Sequence, residues 1–65
     1  MNYKSTVIDL VGVFVQETPL AIAVEVSGNQ VWFPKKVTEY DTGATPGDMI
    51  EFTVPENMAI AKGLA

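Results

Sequence analysis

Residues 20–34, LAIAVEVSGNQVWFP, decide the fold. Leu20, Ile22, Val24 and Val26 share one parity, and Ala21, Ala23 and Glu25 share the other. That is the period of a half-buried strand. SGNQ follows, and Gly28 and Asn29 are the residue types most tolerant of positive φ, so a tight hairpin is predicted there. The return strand, Gln30 to Phe33, places Val31 and Phe33 on one face and Trp32 on the other. Pro34 stops it or pushes it to an edge, and Val37 to Tyr40 resumes it after a kink.

Working outward, Thr6 to Gln16 is rich in Val, Ile, Leu and Phe, which favour strand. Val7, Val11, Val13 and Val15 share one parity; Ile8, Leu10 and Phe14 share the other, with Gly12 between them. A glycine inside a strand marks a bulge or a close backbone approach, and a bulge would let the inward face switch there. The alternative is a strand covered on both faces, one by the core and one by a second subunit. Residues 16–19, QETP, form a turn, because Pro19 restricts Thr18 and cannot donate to a ladder.

Asp41 to Asp48, DTGATPGD, is a loop by local rules. Met49 to Val54 is a further strand, with Ile50, Phe52 and Val54 inward. PENMAIAKGL then reads as one short helix. Pro55 suits its first turn, Glu56 the positive end of its dipole, and Lys62 and Gly63 its last turn. Ile60 and Leu64, four apart, offer it an apolar face.

The chain is therefore read as one small, mainly β domain over residues 1–65. Its strands fall near 6–16, 20–26, 30–40 and 49–54, and its helix near 55–63. The expected architecture is a four-stranded antiparallel meander, curled into an SH3-like or OB-like half barrel and closed by the C-terminal helix.

Composition narrows the function classes. At 65 residues the margin of stability is thin, and the absence of cysteine and histidine removes disulfides and the usual zinc sites. A close-packed core, oligomerisation or both must supply the stability. The four cations are all lysines, against eight acidic residues, for a net charge of −4. An acidic chain without arginine is disfavoured as a binder of nucleic-acid backbone and lacks the polybasic segment of a membrane-surface binder. Lys4 before VIDLVGVFV, with AIA at 21–23, superficially resembles a secretion signal. Asp9 interrupts that run, however, and Gln16, Glu17 and Pro19 follow it, so both segments read as strands. No run reaches the length of about 20 apolar residues that spans a bilayer. A soluble, intracellular protein is expected.

An enzyme is not expected. Without His, Cys or Arg, the commonest general base, most activated nucleophiles and the guanidinium clamp are missing. Glu25, Glu39 and Glu51 fall at outward strand positions of a chain too small for an enclosed cleft, and residues 43–47, GATPG, lack the Lys-Ser/Thr of a phosphate loop. Asp41 and Asp48 flank their loop at a spacing that matches no calcium hand, and they read as loop caps. No catalytic residue, metal ligand or cofactor is therefore assigned. The candidate contacts are Trp32, Phe33, Lys35 and Lys36, where an aromatic pair meets two of the four lysines. Trp is a favoured anchor for a protein partner, and it could also stack a base of single-stranded nucleic acid. The competing reading makes Trp32 a core residue, or one covered by the helix, with the lysines keeping a sheet edge soluble.

Three segments carry a resemblance. Glu17, Thr18 and Ala21 form a Glu-Thr turn before an alanine-bearing strand. Val31, Trp32, Phe33, Pro34, Lys35 and Lys36 match a Val-Trp-Ile-Pro-Lys-Ser-like segment. Val54, Pro55, Glu56, Asn57, Met58, Ala59, Lys62, Gly63 and Leu64 match an ending like Val-Pro-Glu-Trp-Leu-Ala…Lys-Gly-Leu. In this order, over roughly residues 13–64, the chain resembles a family of small proteins found mainly in tailed phages, prophages and related prokaryotic genomes. It departs from the pattern at Phe33, Lys36, Asn57 and Met58. The resemblance implies a phage accessory protein that acts by binding, in the host cytoplasm. Three functions are expected in order. The first is docking on a host or phage protein, with inhibition of a host enzyme or antiviral system as its most concrete form. The second is a nucleic-acid-binding role in phage replication or recombination. The third is a self-assembling or ligand-sequestering oligomer, motivated by the two-faced first strand.

Overall fold

A computed structural model describes residues 6–64. Lys4, weighed above as part of a secretion signal, lies outside them. The described chain forms four antiparallel strands in one open sheet plus one short helix: β1 (Val7–Glu17), β2 (Ala21–Val26), β3 (Asn29–Pro34), β4 (Met49–Pro55) and α1 (Glu56–Ala61). The strand order is β3-β2-β1-β4. This corrects the expected meander: the fourth strand returns to pair with the first, which is Greek-key order. No ladder joins β3 to β4, so the sheet is not a closed barrel.

β1 is one of two inner strands, and it divides its 11 residues between its neighbours. Its first part, Val7 to Val13, pairs with β4, and its last part, Val13 to Glu17, pairs with β2. Gly12 lies where the ladder passes from one partner to the other. A Cβ on Gly12 would come 2.6 Å from both the Glu25 carbonyl and a Val24 methyl. Of the two roles expected for this glycine, the close approach is the one present. The face switch sits further along, where the register with β2 shifts between Phe14 and Gln16 and Val15 becomes the extra residue. Before it, Ile8, Leu10 and Phe14 face the core; after it, Glu17 stands opposite the buried Ile22.

The β2–β3 hairpin turns one residue earlier than expected. Ser27 and Gly28 take positive φ, at 53° and 86°, and Asn29 is the first residue of β3. Side-chain pairing decides this. The observed register sets Val24 against Val31 and Ile22 against Phe33. A turn at 28–29 would slide Lys35 opposite Ile22, inside the core, and that costs more than αL strain at one serine.

Ile22, Val24, Val26, Phe33, Ile50, Phe52 and Val54 are all buried, as their alternation requires. The five largest fully buried side chains are Phe33, Phe52, Ile22, Val24 and Val54, each contributing about 1.5–3 kcal/mol of burial free energy. Leu20 is the exception, at 81% exposure. It belongs to the turn rather than to β2: the Thr18 amide donates to the Ala21 carbonyl at 2.8 Å, and the Thr18 hydroxyl accepts from the Ala21 amide at 3.1 Å. That closure swings Pro19 and Leu20 into solvent.

After Pro34 the chain does not resume β3. Lys35–Val37 forms a 3₁₀ turn, and Glu39 then exchanges both backbone hydrogen bonds with Thr53, at 2.9 and 2.8 Å, on the far edge of β4. Thr38 and Tyr40 are thereby carried over the core, and Tyr40 stacks on Phe14 with ring centroids 6.4 Å apart. The helix closes the rest. Its buried residue is Ala59, and Met58 and Leu64 pack on the core while Ile60 is exposed. The expected Ile60–Leu64 face fails because the helix ends at Ala61. Gly63, at φ 78°, reverses the chain; the Leu64 amide then reaches the Ala59 carbonyl at 2.8 Å and Gly63 that of Ile60 at 3.0 Å.

Candidate functional site

Residues 31–36 divide at Pro34. Before it, alternation places Phe33 in the core, its ring 4.9 Å from that of Phe52 and the Lys62 ammonium 5.7 Å from its centroid. The helix end thus covers Phe33. Trp32 lies on the opposite, outer face and is 39% exposed. Ala23, its register partner, faces outward too and yet is fully buried. A methyl on an open face is hidden only by larger neighbours, and its two register partners are Trp32 and Gln16.

Beyond Pro34 the side chains serve other ends. The Pro34 carbonyl accepts from the Thr38 hydroxyl at 2.8 Å, which fixes the bend. The Lys35 amide donates to the Leu20 carbonyl at 2.8 Å, adding one rung past the end of the β2–β3 ladder. Its ammonium pairs with Glu17 at 2.8 Å. That hydrogen bond raises the Lys35 pKa above the usual 10.5, against a partial desolvation that lowers it. Lys36 is exposed and makes no hydrogen bond or ion pair within the described residues.

Pro19, Leu20, Pro34, Lys35 and Lys36 line an open groove of about 490 Å³. Pro34 lies two residues along from Trp32 and so on the same face of β3. The four candidate contacts therefore separate. Trp32 and Lys36 are on the surface, Lys35 is half-buried and ion-paired, and Phe33 is wholly buried where no partner meets it. Pro19 and Leu20 were not among the candidates. Their signal was the hairpin register itself: once the turn is set at Ser27–Gly28, counting back puts Leu20 opposite Lys35.

The carboxylates are placed without convergence. Asp41 accepts from the Gly43 amide at 2.9 Å, and Asp48 from the Thr45 amide at 2.9 Å and its hydroxyl at 3.2 Å, so both cap their own loop. Asp9 accepts from Thr53 across the β1–β4 ladder at 2.5 Å. Among the described residues, no three His, Cys, Asp or Glu side chains are grouped to hold a metal ion. What the groove and its surroundings offer is adhesion: an aromatic face, an apolar channel and one unpaired cation.

Compared with protein-family models, with curated proteins and with solved structures, the chain matches none. No helix among the described residues is long and apolar enough to cross a membrane.

Proposed function

We propose that this protein is a non-enzymatic binding module that docks on another protein through Trp32 and the adjoining Pro19–Leu20–Pro34 groove, with Lys36 at its rim. One observation carries the reading: Trp32 is 39% exposed on the same face of β3 as Pro34, which lines an apolar groove, while the buried core does not include it. An exposed Trp next to a concave apolar surface is the composition of an interface anchor. The order of the three segments that resemble phage and prophage proteins supports a phage accessory role in the host cytoplasm. Inhibition of a host enzyme or antiviral system is its most concrete form. In this reading the curled sheet acts as an SH3-like or OB-like half barrel. The test is capture of interacting proteins from a phage-infected or prophage-bearing host, with wild type and Trp32→Ala run in parallel. A partner retained by the wild type and lost by the folded variant is expected; undiminished affinity in Trp32→Ala sinks the assignment.

A second reading, self-association, draws on exposed apolar side chains elsewhere on the outer face. Val11 on β1 is 57% exposed and Met49 on β4 is 68% exposed, with Val7 beyond them. Analytical ultracentrifugation at micromolar concentration decides it, and a monomer ends that reading. The nucleic-acid reading is weaker, because Glu17 already engages Lys35 and leaves Lys36 alone at the strip. It predicts a shift of single-stranded oligonucleotides at low salt that collapses as salt rises.

A further inference from the structure

We infer that the free edge of β3 receives an extended segment of the partner protein by strand addition, with an acidic residue of that segment held at Lys36. This rests on the protein-docking reading above and specifies its geometry.

The first observation is which backbone groups are open. Val26 and Asn29 flank a two-residue turn, so they form a hydrogen-bonded pair, and the Lys35 amide bonded to Leu20 fixes the same parity at the other end. Residues 29, 31, 33 and 35 therefore turn their amides and carbonyls toward β2. Gln30 and Trp32 turn theirs outward, where no strand among the described residues pairs with β3. The open stretch has defined limits. On one side is the Ser27–Gly28 turn; on the other, Pro34 has no amide and its carbonyl is taken by Thr38. Two amides and two carbonyls remain, enough to hold a short extended segment. Strand addition uses such an edge, with main-chain hydrogen bonds for affinity and flanking pockets for selectivity.

The opposite edge differs. Glu39 already occupies both backbone groups of Thr53 on β4 and Pro55 offers no amide, which leaves Met49 and Glu51 with outward groups beside two carboxylates. Carboxylates Glu39 and Glu51 line that side. The β3 edge carries no acidic side chain of its own, since its sequence is NQVWFP.

The second observation is the charge gradient along the β3 edge. Glu25 stands opposite Gln30 at the turn end, and Lys36 stands beyond Pro34 at the other, unpaired among the described residues. An added segment thus meets a cation at the Lys36 end, with the groove beside it taking an apolar side chain, while Glu25 lies one strand further in, on β2. A segment that alternates apolar and polar residues and places Asp or Glu at the Lys36 end fits this pattern. A second copy of this chain fits less well, because pairing β3 with itself brings no carboxylate of the edge strand to Lys36.

The test uses the whole chain and synthetic peptides of about seven residues with alternating Val and Thr, carrying two Glu at one end, or two Lys there as control. Binding is read by fluorescence anisotropy, and edge occupancy by amide hydrogen exchange. The Glu peptide is expected to bind, to be weakened by salt, and to slow exchange at the amides of Gln30 and Trp32. Gln30→Pro removes one outward amide at a position where an edge strand tolerates proline. It should weaken binding about tenfold, as should Lys36→Glu. Should Gln30→Pro fail to fold, the exchange measurement on wild type still decides.

Binding of the Glu peptide without slowed exchange at Gln30 and Trp32 overturns strand addition. Equal binding of the Lys peptide overturns the charge assignment. Protection of those two amides without peptide, in a dimer, gives the edge to a second copy and also overturns it. No peptide binding, alongside partner capture that still depends on Trp32, removes the edge inference and leaves the docking function standing.

Discussion

Glu17 and Lys35 pair at 2.8 Å across the intervening strand β2, joining the end of β1 to the residue that follows β3. The contact ties three strands at the rim of the sheet beside the groove. Its pH dependence follows from the lysine. The Glu17 hydrogen bond raises the folded pKa of Lys35 above 10.5, so its stabilisation is fully present below the unfolded value and is lost as pH rises through the folded one. Wild type should therefore melt above Glu17→Gln from neutral pH to about 10, and the gap should close at higher pH. Because the pair is accessible, about 1 M salt should narrow the gap as well. Thermal melts of both proteins from pH 7 to 12 check this; a gap unchanged at the alkaline end refutes it.

Gly12 gives the sharpest stability prediction. An alanine there would place its Cβ 2.6 Å from the Glu25 carbonyl, and that neighbour is backbone, which cannot rotate away as a side chain can. The strand must bend or β2 must retreat, and overpacking of this kind costs about 1–3 kcal/mol. Urea denaturation of Gly12→Ala should show a loss in that range. A midpoint equal to wild type would mean that β2 approaches Gly12 less closely than described.

The contrast between Gly12 and the core strands shows what the sequence disclosed. Alternation in Ile22–Val26, Val31–Phe33 and Ile50–Val54 assigns the inward face because a half-buried strand leaves no other use for that period. It also puts Trp32 on the face opposite Val31 and Phe33, but whether another element covers that face is not written in the period, so the exposure of the indole is a finding of the structure. The order of strands was not, since the pairing of β4 with β1 joins residues more than thirty positions apart and no local pattern encodes it. Leu20 misled for a related reason: parity says which way a strand residue points, not whether the strand has begun. The hydroxyl of Thr18, which starts β2 one residue later, is a turn device whose effect appears only once Ala21 is brought opposite it. The groove joins Pro19–Leu20 to Pro34–Lys36 and became visible only with the hairpin register.

Ser27 offers a gain. It holds φ 53° in the first position of the turn, ahead of Gly28 at φ 86°. Two positive φ values in a two-residue hairpin favour Asn-Gly, because asparagine tolerates the left-handed region better than serine. Ser27→Asn should raise stability by roughly 0.5 kcal/mol without altering the fold. The urea midpoint reads it, and a decrease would show that register strain, rather than backbone preference, limits this turn.

The neighbours Trp32 and Phe33 should respond to truncation to different degrees. Phe33 is wholly buried against Phe52 and Ile22, and removing such a ring costs about 3–5 kcal/mol. Small domains hold roughly 5–15 kcal/mol in total, so Phe33→Ala should populate the unfolded state markedly at room temperature. Trp32 covers the face around Ala23 and is 39% exposed, so Trp32→Ala should cost about 2 kcal/mol by the apolar area the indole buries. Circular dichroism with urea titration separates the two. A Trp32→Ala protein as unstable as Phe33→Ala would place the indole in the core and remove it as a docking residue. A folded Trp32→Ala protein is the one with which loss of a partner can be read as loss of a contact.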